Sequence, residues 1–147
     1  MNALLNGLLE VSSITFGRYR FYGITPLVAW VPPRIAGIYA ISTPNSGWQP
    51  IPYEPIYFGE SADLSDRGFA THHARPAWIR AAGSESKLYV SVLSMPGSSE
   101  SERRQIESQL ITSYQPDANI AGRNMLLGAG RADPAITAVV NALIVRK

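Results

Sequence analysis

Gly37-Ile38-Tyr39-Ala40-Ile41 and, after a proline-rich loop, Pro55-Ile56-Tyr57-Phe58-Gly59-Glu60-Ser61-Ala62-Asp63-Leu64-Ser65-Asp66-Arg67 are the segments on which the reading of this chain turns. Each begins with a short apolar run that holds a tyrosine close to a glycine. Runs of this length, rich in β-branched and aromatic residues and bounded by Gly and Pro, predict strands. Ile35–Ile41 and Ile56–Gly59 then form an antiparallel hairpin, with residues 42–55 as an irregular loop holding four prolines. Alternation sets Tyr39 on one face with Gly37 and Ile41, and Ile38 and Ala40 on the other. Gly37 would leave room for a ligand to approach the Tyr39 hydroxyl.

On the C-terminal side, Ser61 is a candidate N-cap and Leu64 begins an apolar stripe, which predicts a helix carrying Arg67 and disturbed by Gly68. Pro76 opens a second short helix that Gly83 stops. Lys87–Met95 alternates Leu88, Val90 and Val92 with small or polar residues and reads as a third core strand. Pro96-Gly97 turns the chain. Ser99 and Glu102 match a capping box for the longest helix, which runs to Tyr114 with Ile106, Leu110, Ile111 and Tyr114 as its buried stripe. Glu107 lies three and four residues before Leu110 and Ile111, on the inward flank. A carboxylate there needs a cation or hydrogen bonds. Arg67 and a hard metal ion are the two candidates. Pro116 ends the helix, residues 117–133 read as loop, and a last apolar helix covers about 134–145.

On the N-terminal side, Leu4, Leu5, Leu8 and Leu9 form an amphipathic stripe. Residues 13–22 alternate and read as one strand, with Arg18 and Arg20 on the same face as a candidate phosphate-contacting edge. Leu27–Val31 is a short apolar run, and Pro32-Pro33 closes an N-terminal extension over residues 1–34. The expected architecture is α+β: a small central antiparallel sheet of about three core strands flanked by helices, with the 1–34 helix and strand extension packed on the domain of residues 35–147.

The 147 residues suit one domain. The absence of cysteine excludes disulfides and Cys-ligated metal sites, and two histidines make a His-rich zinc site a poor reading. The formal net charge is +2, so no polybasic tail is present. The basic residues are mostly arginine, whose planar fork suits phosphate. A codon bias toward arginine explains that equally well. No apolar run approaches the roughly 20 residues that span a bilayer, and the N-terminus lacks the features of a secretory signal. A soluble, cytoplasmic protein is expected.

Gly37-Ile38-Tyr39, Tyr57-Phe58-Gly59, Arg67, the His72-His73 pair, Glu107 and Asn119 together resemble the GIY-YIG endonuclease family, over about residues 35–120. The tripeptides alone are weak signals. Their order, with Arg67 ten residues after Tyr57 and Glu107-x-x-Leu110-Ile111-x-x-Tyr114-x-Pro116-x-x-Asn119 downstream, makes the combination specific. The resemblance implies hydrolysis of DNA phosphodiester bonds with one Mg²⁺ (or Mn²⁺). Glu107 would be the metal ligand, Arg67 the phosphate clamp, and Tyr39, Tyr57 and a histidine would handle or orient the attacking water. Asn119 would orient a neighbour. A phenol serving as base needs nearby positive charge, and neither lysine is near the motif. The metal or Arg67 would supply that charge, or a histidine would take the proton.

The chain departs from the family pattern at three places. Phe58 stands where Ile or Val is usual. Glu60 stands where small or basic residues are usual, and could repel phosphate or assist the metal. The histidines come five and six residues after Arg67 rather than four, where Thr71 stands. That leaves both His72 and His73 as candidates, with His72 nearer the usual spacing. The alternative function is a catalytically inactive nucleic-acid-binding or protein-interaction module.

Overall fold

A computed structural model describes residues 13–49, 51–66 and 68–120. The predicted N-terminal Leu helix, Arg67 and the helix over 134–145 lie outside the described residues. Five strands form one curled antiparallel sheet: β1 (Ser13–Phe16), β2 (Tyr19–Pro26), β3 (Gly37–Pro44), β4 (Tyr53–Ser61) and β5 (Tyr89–Ser94), in the order β1-β2-β5-β3-β4. Among the described residues, the helices α1 (Arg75–Ala82) and α2 (Glu100–Tyr114) accompany it, with four short 3₁₀ turns and a helical stretch over 117–120.

This corrects the expectation of a three-stranded core. Residues 13–26 are not an added strand outside the sheet. They supply two of its five members, with Tyr22 opposite Val92 and Thr25 opposite Val90 on β5. The cause lies at Gly17, which has φ +60° and turns the chain so that Phe16 faces Tyr19 across a tight hairpin. Alternation continues on both sides of that turn, so one strand was read where two exist. Arg18 falls in the turn, off the strand face that holds Arg20. The Gly17 N–H donates to the Tyr114 hydroxyl at 2.6 Å, which ties the hairpin to the end of α2.

A second correction falls between β4 and α1. The predicted helix around Arg67 is replaced by two 3₁₀ turns, Leu64–Asp66 and Phe69–Thr71. Local side chains take the donors that would have started a helix. Ser61 Oγ accepts from Asp63 N–H at 3.1 Å, and Asp63 Oδ1 accepts from Ser65 N–H at 3.0 Å. After α2, residues 117–120 are helical rather than loop.

Strand β3 pairs with β4 on one side and β5 on the other, and every residue from Gly37 to Thr43 is buried. Its alternate positions therefore feed two cores. Tyr39 and Ile41 join Leu64, Phe69, Trp78, Leu88 and Val90 on the α1 side. Ile38 and Ala40 join Phe16, Phe21, Phe58, Leu110 and Ile111 on the α2 side. Each fully buried Phe or Leu contributes roughly 1.5–3 kcal/mol of transfer free energy. A bulge between Ile41 and Ser42 inserts Ile56 into β4, so that Ile56 and Tyr57 both pack toward the α1 side.

The N-terminus of α2 is closed by the predicted capping box. Ser99 Oγ accepts from Glu102 N–H at 3.1 Å, and Glu102 Oε1 accepts from Ser99 N–H at 3.0 Å. The backbone donor of Ser99, and then its side chain, hold the Glu102 carboxyl below its ordinary range. Stability from a depressed carboxyl is complete above its unfolded value and is lost as pH falls through the folded one. Loss of the N-cap hydroxyl in Ser99→Ala is expected to lower stability by about 1 kcal/mol. The deficit of Glu102→Gln relative to the parent should shrink as the medium is acidified through the carboxylate range. Urea denaturation from neutral to acid pH measures both.

Candidate functional site

The first element of the site is a close approach. Tyr39 on β3 faces Gly59 on β4, and the outer end of the Tyr39 ring occupies the space where a Cβ on residue 59 would stand. Gly59 is thus required by the tyrosine. Gly37 has a different role from the one expected. A Cβ there would strike the backbone carbonyl of Leu93, so its missing side chain serves the pairing with β5 and opens no space for a ligand.

The Tyr39 hydroxyl lies 2.9 Å from His72 Nε2. The other ring nitrogen, Nδ1, accepts the Ala74 N–H at 3.0 Å. An imidazole nitrogen that accepts a hydrogen bond carries no proton, so in the neutral ring the proton is on Nε2. His72 therefore donates to the Tyr39 oxygen. The turn into α1 sets this polarity, because it uses Nδ1 for a backbone donor.

Aromatic rings enclose the pair. Tyr57 lies 6.0 Å from Tyr39 and 5.7 Å from His72 between ring centroids, Phe69 meets Tyr39 edge-on at 4.8 Å, and Trp78 lies 4.7 Å from His72. Tyr39 is 0% exposed and His72 8%. Tyr57 is half-buried, and His72 also lines a shallow surface cleft with Thr71, Arg75 and Ile79. His73 is exposed and stacks on His72 at 4.5 Å. The two histidines thus differ: one is bonded inside the cluster and the other covers it.

Asn119 reaches the outer edge of β4. Its Oδ1 accepts Phe58 N–H at 3.0 Å, and its Nδ2 donates to Phe58 O at 3.2 Å, beside Tyr57 and Gly59. Glu107 is 4% exposed on α2. The residues that follow it, Leu110 and Ile111, pack in the core on the sheet face opposite Tyr39. Direct contact therefore joins Tyr39, Tyr57 and His72. Asn119 meets the backbone next to Tyr57, and Glu107 comes from the helix packed on β4.

Sequence reading left Arg103 out. It is 4% exposed, and its Nε donates to Glu60 Oε2 at 2.9 Å while Nη1 reaches Ser98 O at 2.7 Å. Arg104 Nε lies 3.8 Å from the other Glu60 oxygen, a charge contact rather than a hydrogen bond. Glu60, the unusual residue after Gly59, is thereby matched to two cations on α2. The signal was present in Glu60 and in Arg103, one turn before Glu107 on the same helix face.

Among the described residues, no three His, Cys, Asp or Glu side chains gather as a metal cluster. None of the described helices is long and apolar enough to cross a membrane. Compared with protein-family models, curated proteins and solved structures, the chain gives no significant match.

Tyr39→Phe removes one oxygen and leaves the buried His72 Nε2–H without that acceptor, which should cost about 1–3 kcal/mol. A packing role alone would have predicted little change. Gly59→Ala should cost about the same through overpacking against the ring. His73→Ala should stay within about 0.5 kcal/mol of the parent. Denaturant midpoints of the three variants give the order directly.

Proposed function

We propose that this chain is a divalent-metal-dependent endonuclease that hydrolyses DNA phosphodiester bonds, related to the GIY-YIG nucleases. The observation that carries the reading is the Tyr39–Tyr57–His72 cluster built around Gly59. It joins both tyrosines of the motif to a histidine whose tautomer is fixed.

In hydrolysis a water oxygen bonds to phosphorus while an ester P–O bond breaks, and the water's proton must go to a base. Tyr39 is fully buried, so the half-exposed Tyr57 is the tyrosine that would face the water. Tyr39 and His72 would hold it in place, with the His72 Nε2–H donated inward to the Tyr39 oxygen. Arg67 would clamp the scissile phosphate. Glu107 would be the residue to hold a cation that arrives with its substrate, since Mg²⁺ is commonly held by one or two carboxylates together with phosphate oxygens and waters. When bound, the ion would neutralise charge at phosphorus and lower the barrier to water attack.

The complete burial of Tyr39, with both His72 nitrogens bonded internally, favours a second reading. In it the pair is a structural hydrogen bond, and the chain is a non-catalytic nucleic-acid-binding or protein-interaction module.

Incubation with plasmid, branched and single-stranded DNA, in Mg²⁺ and in EDTA, separates the two. The nuclease reading expects cleavage in Mg²⁺ that EDTA abolishes. It also expects loss of nearly all cleavage in Tyr57→Phe and Glu107→Gln, and a fall of roughly two orders of magnitude or more in Arg67→Ala with DNA binding much less affected. Cleavage at the parent rate by Glu107→Gln would remove the metal assignment. No cleavage of any substrate by the parent leaves the non-catalytic reading.

A further inference from the structure

The sheet face that carries Tyr39 does not end at the buried cluster. Residues paired directly across antiparallel strands project to the same side. Ser13 pairs with Tyr22, Tyr22 with Val92, Val92 with Tyr39, and Tyr39 with Gly59. These five positions form one row across the whole sheet, on the α1 side. At the β3–β4 end the row is covered by Phe69, His72 and Trp78. Toward β2 the row is more exposed: Val92 and Ser13 are half-buried and Tyr22 is 57% exposed.

A second open row lies two residues further along the strands. Arg20 pairs with Thr15 and shares its face with Tyr22, while Ser94 pairs with Gly37 and shares its face with Val92. Thr15, Arg20 and Ser94 are all exposed. At the hairpin tip, Arg18 turns instead over the Tyr19 ring, on the α2 side. Strands β1, β2 and β5 contain no acidic residue.

Among the described residues, this half of the sheet thus offers an exposed aromatic face, hydroxyls and the positive charge of Arg20. With strands about 4.8 Å apart, Tyr22 stands about 10 Å from Tyr39 along the row.

We infer that this surface binds a single strand of DNA, with a base stacked on Tyr22 and a backbone phosphate against Arg20, and leads that strand toward the Tyr57–His72 cluster. The inference rests on the nuclease reading for its substrate and deepens it. An aromatic on an open sheet face accepts any base, because every base has a π-face, and arginines beside it track the phosphates. An acidic peptide would use Arg20 but not the aromatic face. A duplex would keep its bases stacked on one another and out of reach of Tyr22.

The test is binding of a fluorescent single-stranded DNA oligonucleotide of mixed sequence, measured by anisotropy in EDTA so that cleavage plays no part. Tyr22→Ala should weaken binding by roughly tenfold, the loss of one stacked base. Tyr22→Phe should bind as the parent does. Arg20→Ala should weaken binding and make the dependence on salt shallower by about 0.7 in logarithmic slope, one phosphate contact on a single strand. Tyr22 and Arg20 are exposed, so melting temperatures should be unchanged. Parent-level binding by Tyr22→Ala, a preference for blunt duplex, displacement by polyglutamate without dependence on Tyr22, or no oligonucleotide binding by the parent would each overturn the inference. Tyr22-dependent binding without cleavage in Mg²⁺ would sustain this surface and remove the nuclease reading. Cleavage with Tyr22-independent binding would do the opposite.

Discussion

The burial of β3 on both faces is the constraint from which the rest of this molecule follows. A strand covered on both sides must have its backbone groups satisfied by neighbours and its side chains divided between two cores. Strands β4 and β5 meet the first demand, and α1 and α2 supply layers for the second. Close packing around β3 also explains its glycine: Gly37 is where β5 comes too near for a side chain. The α1 side then becomes the place where polar chemistry must be handled inside an apolar setting, because Tyr39 carries a hydroxyl to a position with no exposure.

That hydroxyl has a chain of local consequences. Gly59 leaves space for it, Tyr57 stands on the same side by alternation from Gly59, and His72 gives it a donor. His72 is fixed in turn by the Ala74 N–H at the entrance to α1. A one-turn segment thus determines the polarity of a buried hydrogen bond. On the other face, Glu60 and Arg103 form an ion pair that anchors α2 to β4 at the turn before Glu107. Buried pairs of this kind add little net stability but are costly to break singly. They suit the fixing of one helix position against one strand.

The elements most legible in the sequence were those with a local physical signature. The capping box at Ser99 and Glu102, the Gly83 stop, and the alternation that separates Tyr39 and Ile41 from Ile38 and Ala40 can each be read from neighbouring residues alone. The inward position of Glu107 also follows from the stripe around it. Elements decided by competition or by distance were not legible. Gly17 divides one apparent strand into a hairpin, and only its pairing with β5 reveals a five-stranded sheet in place of three strands. Ser61 and Asp63 carry helix-start residue types, yet they close turns instead. The direction of the Tyr39–His72 bond depends on a backbone donor two residues beyond the histidine, which no motif encodes. The attachment of Glu60 to Arg103 spans 43 residues, and although each residue signals a need for a partner, nothing local says which.

Strand β4 lies at the margin of the sheet, where unpaired backbone groups would invite another chain. Asn119 answers the donor and the acceptor of Phe58 at once, as the backbone of a sixth strand would. A side-chain amide thus imitates a peptide group without offering a further edge of its own. The sheet is terminated at that point by chemistry rather than by length. An incoming strand from a second copy finds the central hydrogen-bonding position of this margin already taken, so that the molecule resists growing by edge-to-edge addition on the side where its two tyrosines are housed.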